Sequence, residues 1–293
     1  MKIKETPIYN KKQSHWKEIW LRLRESKTAM IGLAILLVFV FFAIFADVLF
    51  DYETTALQTN YALSLAGPSW EHPFGNDFYG RDILARIVHG TRYSFTFAMI
   101  AVLLSMTAGM IIGSMCGYFG GVFDTVVMRI MDTISAIPGI LLILTLVSAL
   151  GAGLMNLVIA IVVTAIPDAT RVTRSAVISL SGNEYIKAAI ACGTKTPRII
   201  RKHIIPNAIG PIIVSATMRL GSNILSIASM SYLGMGIMPP TPEWGSMLSE
   251  GQEFIQEAIH VVVFPGLAIL LAALAFNLLG DGIRDAVDPR LRK

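Results

Sequence analysis

Among the long stretches of this chain that carry no Asp, Glu, Lys or Arg are residues 93–116 and residues 133–167. An α-helix needs about 20 consecutive apolar residues to cross the hydrocarbon core of a bilayer. The first stretch is therefore one span long, and the second is too long for one span. Lipid offers no hydrogen bonds to a backbone, so a spanning segment must satisfy its own, as a helix does. The composition agrees, with 54% of 293 residues hydrophobic and 15% charged, against about 25% charged in a soluble domain. The expected fold class is an all-α membrane protein.

Residues 1–29 form a polar tail with eight Lys and Arg. Within it Trp16, Ile19, Trp20 and Leu23 recur at helical spacing, which predicts an amphipathic helix lying on the membrane surface or packed on a partner protein. A cleavable signal has a shorter basic region before its apolar core, so this segment reads as a retained anchor. Residues 30–50 are the first transmembrane helix. Residues 51–92 are an extracytoplasmic loop, with a short interfacial helix around Ile83, Ile87 and Val88. Residues 93–281 hold a five-helix transmembrane core, with spans at 93–117, 122–150, 154–167, 208–236 and 258–280. Pro138-Gly139 and Pro265 mark expected kinks, and Arg129 and Asp132 are spaced to pair along one helix face. A basic loop, 168–207, interrupts the core, and 282–293 is the C-terminal tail.

Six spans place both termini on one side, and lysine and arginine choose that side. Eight fall in residues 1–29, seven in 168–207 and four in 281–293, whereas the two long opposite-side loops hold only Arg81, Arg86 and Arg92. Both termini and the 168–207 segment are expected in the cytoplasm. The net charge of +4 sits in segments flanking apolar runs, which argues for membrane orientation and against a nucleic-acid partner. Cys116 and Cys192 would then both be free cytoplasmic thiols.

Ser105, Gly109, Gly113 and Gly117 repeat every four residues along the second span. Small residues at that spacing let two helix backbones approach, which is how membrane helices pack without a hydrophobic driving force. A second pattern lies on the fifth span, where Ser215, Arg219, Ser222, Ser226 and Ser229 form a polar stripe with Asn223 beside it. A charge within a span is costly and faces a protein interior or a water-filled path. The stripe either lines a translocation route or bonds to neighbouring helices, with Arg219 pairing to Asp132 or Asp168.

Chemistry-bearing motifs are few. The sequence has no G-x-x-x-x-G-K-[ST] phosphate loop, no H-E-x-x-H and no G-x-S-x-G elbow, and its five histidines are scattered. No catalytic, cofactor or metal residue is assigned, and any ATP hydrolysis must come from another protein. The remaining distinctive stretch is 184–206, EYIKAAIACGTKTPRIIRKHIIP. A short helix is expected over 184–192, with Tyr185, Ala188, Ala189 and Cys192 on one small-residue face. Gly193 would stop it. Thr196 would cap a second helix opening at Pro197, and Pro206 would break that helix before the next apolar block.

This stretch resembles the cytoplasmic EAA loop of ABC-importer permeases. Glu184 stands at the Glu position, Ala188 and Ala189 at the Ala pair, and Gly193 and Pro206 keep the family spacing, while His203 and Ile205 depart mildly from it. FGNDFYGRDILARIVHGTRYS, YLGMGIMPPTPEWG and FNLLGDGIRDAVDP are similar to the second permease subunit of dipeptide, oligopeptide and nickel importers. The resemblance implies a type I ABC-importer permease fold in a bacterial or archaeal cell membrane. It implies a homologous second permease subunit, two cytoplasmic ATPase subunits that carry ATP and Mg, and an extracytoplasmic solute-binding protein. It also implies that the helix at Glu184 docks on an ATPase as a coupling helix. The expected function is half of an ATP-driven pathway for di- or oligopeptides; import of nickel or a metal chelate is the alternative on the same architecture. Rivals of other classes predict different features. A self-sufficient secondary transporter or channel needs ionisable relay residues deep in several spans, which the second and fourth lack. A membrane-embedded enzyme needs a nucleophile–base or metal constellation. A scaffold would bind partners without changing their ATP hydrolysis.

Overall fold

The computed structural model describes residues 15–287, and its regular elements are helical throughout. Helix α1 (His15–Glu25) leads into α2 (Lys27–Leu49), whose first turn is capped by the Ser26 hydroxyl accepting from Ala29 N at 3.3 Å. A π turn (Tyr52–Leu57) and a 3-10 turn (Tyr61–Leu63) follow. Then come α3 (Ile83–Phe119), α4 (Gly121–Ser135), α5 (Gly139–Leu150) and α6 (Leu154–Ser181). The short α7 (Glu184–Ala191) and α8 (Thr196–Ile199) precede a π turn (Ile200–Ile204) that runs into α9 (Ile205–Tyr232). The described chain closes with α10 (Trp244–Gly251) and α11 (His260–Val287). Five helices are long and apolar enough to cross a membrane, and α4 with α5 makes a sixth if that bent pair is one span.

Several sequence expectations need correction. The separate interfacial helix around Ile83 does not exist, because Ile83 opens a 37-residue helix that contains the second span. Asp82 caps it, accepting from Ala85 N at 2.8 Å. The kink at Pro138-Gly139 is a break, with α4 and α5 meeting at 86°. The fourth span does not end at Pro167, which lies inside the 28-residue α6. Surrounding helices let a membrane helix carry a proline that would break an isolated one. The segment 168–207 is therefore largely helix. The expected loop 238–257 contains α10. Asp132 pairs with Arg171, at 3.0 Å, not with Arg129. The N-terminal helix has an intramolecular seat, since Leu23 is buried beside Gly282 of α11, while Trp20 stays exposed.

The bundle is built on the pair α3–α6. A Cβ added at Gly109 would lie 2.7 Å from the Ala169 carbonyl carbon; at Gly113, 2.5 Å from the Thr170 oxygen; at Gly117, 2.9 Å from the Arg174 oxygen. Ser105 is fully buried and donates to its own helix at Ala101 O, 2.7 Å away. The Thr170 and Thr173 hydroxyls facing this seam have no hydrogen-bond partner. Contact between backbones, more than hydrogen bonding, holds the two helices. The same device joins α11 to α2 and α9, where a Cβ at Gly32 would lie 2.7 Å from Ala275 O and one at Gly221 2.9 Å from Ala273 O.

At one end of the bundle the loop 58–82 folds over α10 and α11. Phe74 stacks on Phe264 with centroids 4.1 Å apart, and Phe78 on Phe254 at 4.4 Å. Arg81 reaches Asp77 at 2.6 Å and both oxygens of Glu250 at 3.0 Å, while Arg86 reaches Glu250 at 2.9 Å. Trp244 is fully buried and donates from Nε1 to Ile87 O at 3.1 Å. Glu243 caps α10, accepting from Ser246 N at 2.9 Å, and burial raises its carboxyl above the ordinary value near 4.5.

The packing and the buried carboxyl of Glu243 generate three predictions. Gly113→Ile should lower thermal stability in detergent by the equivalent of about 1–3 kcal/mol, the usual cost of overpacking. Gly139→Ala, at a position with no atom within 4 Å of the added carbon, should leave the melting temperature unchanged. Glu243 binds its proton more tightly folded than unfolded, so stability should fall as pH rises from the ordinary glutamate value through the raised one. Melting curves against pH should show Glu243→Gln flattening that slope; equal slopes would refute it.

Candidate functional site

Two features stand out: the short helix α7 and the polar face of α9. Helix α7 forms where expected. Glu184 occupies its first turn, where a carboxylate favours the helix dipole. Its end is a Schellman turn: Gly193, at φ +70°, donates to Ile190 O at 2.9 Å, and Thr194 N donates to Ala189 O at 3.0 Å. Pro197 lies in the first turn of α8, but Lys195 is the residue preceding that helix, so Thr196 is helical and its side chain caps nothing. Tyr185, Ala188 and Cys192 face solvent with Ile190, while Ala189 is half-buried. Cys116 is buried.

The residue that seats α7 was missed by sequence reasoning. Ile186 is 1% exposed and packs in a small apolar cluster with Val177 of α6, Ile199 of α8 and Ile204 of the π turn. Its signal was an isoleucine flanking the small-residue face, three residues before Ala189. The expectation that Pro206 ends the preceding helix is overturned. The chain is helical without interruption from Thr196 to Tyr232, with Pro206 in the first turn of α9. The wider π turn before it accommodates a ring that lacks an amide hydrogen. A rigid path thus runs from the seat of α7 to the polar face of α9.

That face lines two hollows that share Arg219 and Ser222 in their walls. A cleft of about 1110 Å³ is lined by Pro206, Ser215, Arg219 and Ser222 of this path together with Asp168 and Arg284. A smaller hollow of about 340 Å³ lies on the other side of Arg219 and Ser222, with Asn223, Ser226 and Ser229 in its wall. Arg219 pairs with Asp168 at 2.9 Å. Asp168 also holds Arg171 at 3.0 Å, and Arg171 holds Asp132 and the Ser135 hydroxyl at 3.0 Å. The result is an alternating chain of charges across α4, α6 and α9. Sequence reasoning offered Asp168 or Asp132 as the partner of Arg219 and did not see that Arg171 joins both.

The serines donate back to their own helix: Ser222 to Arg219 O at 3.0 Å, Ser226 to Ser222 O at 3.0 Å and Ser229 to Leu225 O at 2.7 Å. Each hydroxyl oxygen keeps lone pairs with which to accept. Asn223 is 6% exposed, and neither its amide nitrogen nor Arg219 Nε has a hydrogen-bond partner. Among the described residues, no three histidine, cysteine or carboxylate side chains gather as a metal site would require.

Comparison with known proteins gives the family. Residues 109–293 match the family described as binding-protein-dependent transport system inner membrane component. Residues 14–68 match the N-terminal transmembrane domain of oligopeptide transport permease C. The chain is 44% identical to the dipeptide transport system permease protein DppC of Alkalihalophilus pseudofirmus, over 95% of this chain and 91% of that one. It is 39% identical to DppC of Haemophilus influenzae over 99% of both chains. With the glutathione transport system permease protein GsiD of Pectobacterium atrosepticum it shares 41% identity over 94% of this chain and 92% of that one. Among solved structures, an inward facing MetNI methionine ABC transporter chain has a similar fold, with a TM-score of 0.57 and 19% identity over 70% of this chain and 98% of that one. The chain belongs to the binding-protein-dependent transport system inner membrane components, as a multi-pass ABC-importer permease that is not itself an enzyme.

Proposed function

We propose that this permease forms half of an ATP-driven import pathway for di- or oligopeptides, beside a homologous second permease. Two cytoplasmic ATPase subunits drive it, and an extracytoplasmic solute-binding protein supplies it. The observation that carries this reading is the exposed face of α7, Tyr185, Ala188 and Cys192, held by one buried isoleucine on the helix that continues into the polar cleft. An ATPase groove that takes this face and moves it displaces the Ile186 seat, and with it the base of α9. Closure and opening of the path then follow as rigid-body motion of packed helices. The peptide substrate is supported by relatives whose names say dipeptide and glutathione.

Orientation follows from charge. With α4 and α5 as one broken span, six crossings put both termini, α7 and Cys192 in the cytoplasm, where the basic segments collect. Were the pair re-entrant, the basic C-terminal tail would lie outside. Cys192 is an exposed thiol and Cys116 a buried one, so the native chain carries its own reporter. A membrane-impermeant maleimide should label Cys192 in inside-out vesicles and not in right-side-out ones. Added ATPase subunits should suppress the labelling. Labelling from the outer face would overturn the orientation, and unchanged labelling with ATPase bound would overturn the docking face.

Coupling is tested by uptake in the reconstituted transporter. Glu184→Lys reverses the charge at the start of α7. Gly193→Leu forces a side chain into a left-handed turn at a cost of about 1–2 kcal/mol. Each should reduce peptide uptake severalfold while ATP hydrolysis persists or the ATPase dissociates. Normal uptake in both would sink the coupling role of α7.

A further inference from the structure

We infer that the outward arc of α1 is a binding surface for the headgroups of anionic phospholipids, in the leaflet at that end of the bundle. The inference goes beyond the import reading and holds whatever the path carries. Lys17, Trp20, Leu21 and Arg24 are all exposed, Trp20 at 47% and Leu21 at 44%. At about 100° per residue the four fall within an arc of about 100° on the helix. Lys17 lies one turn before Trp20 and Leu21, and Arg24 lies one turn after both. Two apolar side chains are thus bracketed by two cations. Among the described residues neither Lys17 nor Arg24 has an ion pair.

The seat of α1 fixes which way this arc points. Leu23 lies outside the arc and is buried against Gly282 of α11, so the helix cannot roll the arc inward without unseating it. Ser26, extended at ψ 107°, separates α1 from α2. Helix α1 therefore stands as its own element at the foot of the first span, whose Ile31, Leu37 and Val38 are each more than half exposed to the hydrocarbon. An apolar arc alone would suit a protein as well as a lipid, and the cations decide between them. A helix with Trp and Leu beside Lys and Arg lies in the interface, its apolar side chains among the acyl chains and its basic stems reaching out to the phosphates. Residues 1–29 carry eight Lys and Arg against three Glu. Each cation near an anionic leaflet strengthens attachment about fivefold. A protein partner would have to bring acidic groups to the plane where lipid phosphates already stand.

The test places the assembled transporter in nanodiscs of phosphatidylcholine, doped with either phosphatidylglycerol or phosphatidylcholine brominated high on the acyl chain. Bromine quenches tryptophan on contact, and the share due to Trp20 is the difference between wild type and Trp20→Phe. Half-maximal quenching of Trp20 by the brominated phosphatidylglycerol should need a mole fraction at least about fivefold lower than by the brominated phosphatidylcholine. Lys17→Gln combined with Arg24→Gln, at two exposed positions and first shown to assemble, should cut that preference at least about threefold. Quenching by phosphatidylcholine should persist in that variant, because Trp20 and Leu21 still face the bilayer. Equal quenching by the two lipids in wild type would overturn the inference. So would a preference that survives the double substitution. Quenching that is the same in Trp20→Phe as in wild type would overturn it too, and would give the arc to a protein partner.

Discussion

The approach of α3 to α6 is the constraint on which the rest of the bundle depends. In a bilayer the lipid tails are as apolar as leucine, so burying apolar surface between helices gains little over leaving it in lipid. What distinguishes a native helix pair is how closely its backbones come together, and Gly109, Gly113 and Gly117 remove every Cβ that would keep α3 from α6. The two helices are then fixed in register as well as in distance. Asp168 and Arg171 stand on α6 beside the seam, next in sequence to Ala169 and Thr170, and Arg86 stands on α3 at its far end. The positions of both ionic assemblies are inherited from that seam.

The two assemblies differ in a way that burial decides. Arg81 and Arg86 are almost fully buried against Asp77 and Glu250. Removing one partner there would strand a charge away from water, at a cost of about 3–5 kcal/mol. Asp132, Asp168 and Arg171 are each at least a third exposed, at 52%, 58% and 36%. Exposed pairs are worth about 1 kcal/mol or less and exchange partners readily. One end of the bundle is therefore fastened, and the charges along the cleft are free to rearrange.

Much of this was legible in the sequence. Uncharged runs gave the spans, because lipid tolerates little else. The four-residue period gave the α3 seam, because the helix repeats nearly every four residues. Glu184 and Gly193 bracketed α7 to within one residue, because a first-turn carboxylate and a left-handed glycine are local requirements. Non-local matters were hidden. Pro167 and Pro206 read as helix ends by local rules, yet packing against neighbouring helices carries the backbone through both. Pro138-Gly139 signalled an interruption, but its 86° angle is set by what α4 and α5 each pack against. Ile186 is unremarkable among many isoleucines until Val177, Ile199 and Ile204 close around it. Arg81 and Glu250 lie 169 residues apart, and only the fold joins them.

The seat of α7 has a mechanical consequence. Its deepest contact is a single side chain, Ile186, surrounded by residues of α6, α8 and the π turn. A joint with one deep point of contact behaves like a ball in a socket: it passes on a push and absorbs a twist. A docked protein could therefore sit on α7 at a range of tilts and still deliver the same displacement to the base of α9. On the coupling role proposed for α7, such a joint would set how far the cleft moves without demanding that two separately folded proteins meet at one fixed angle.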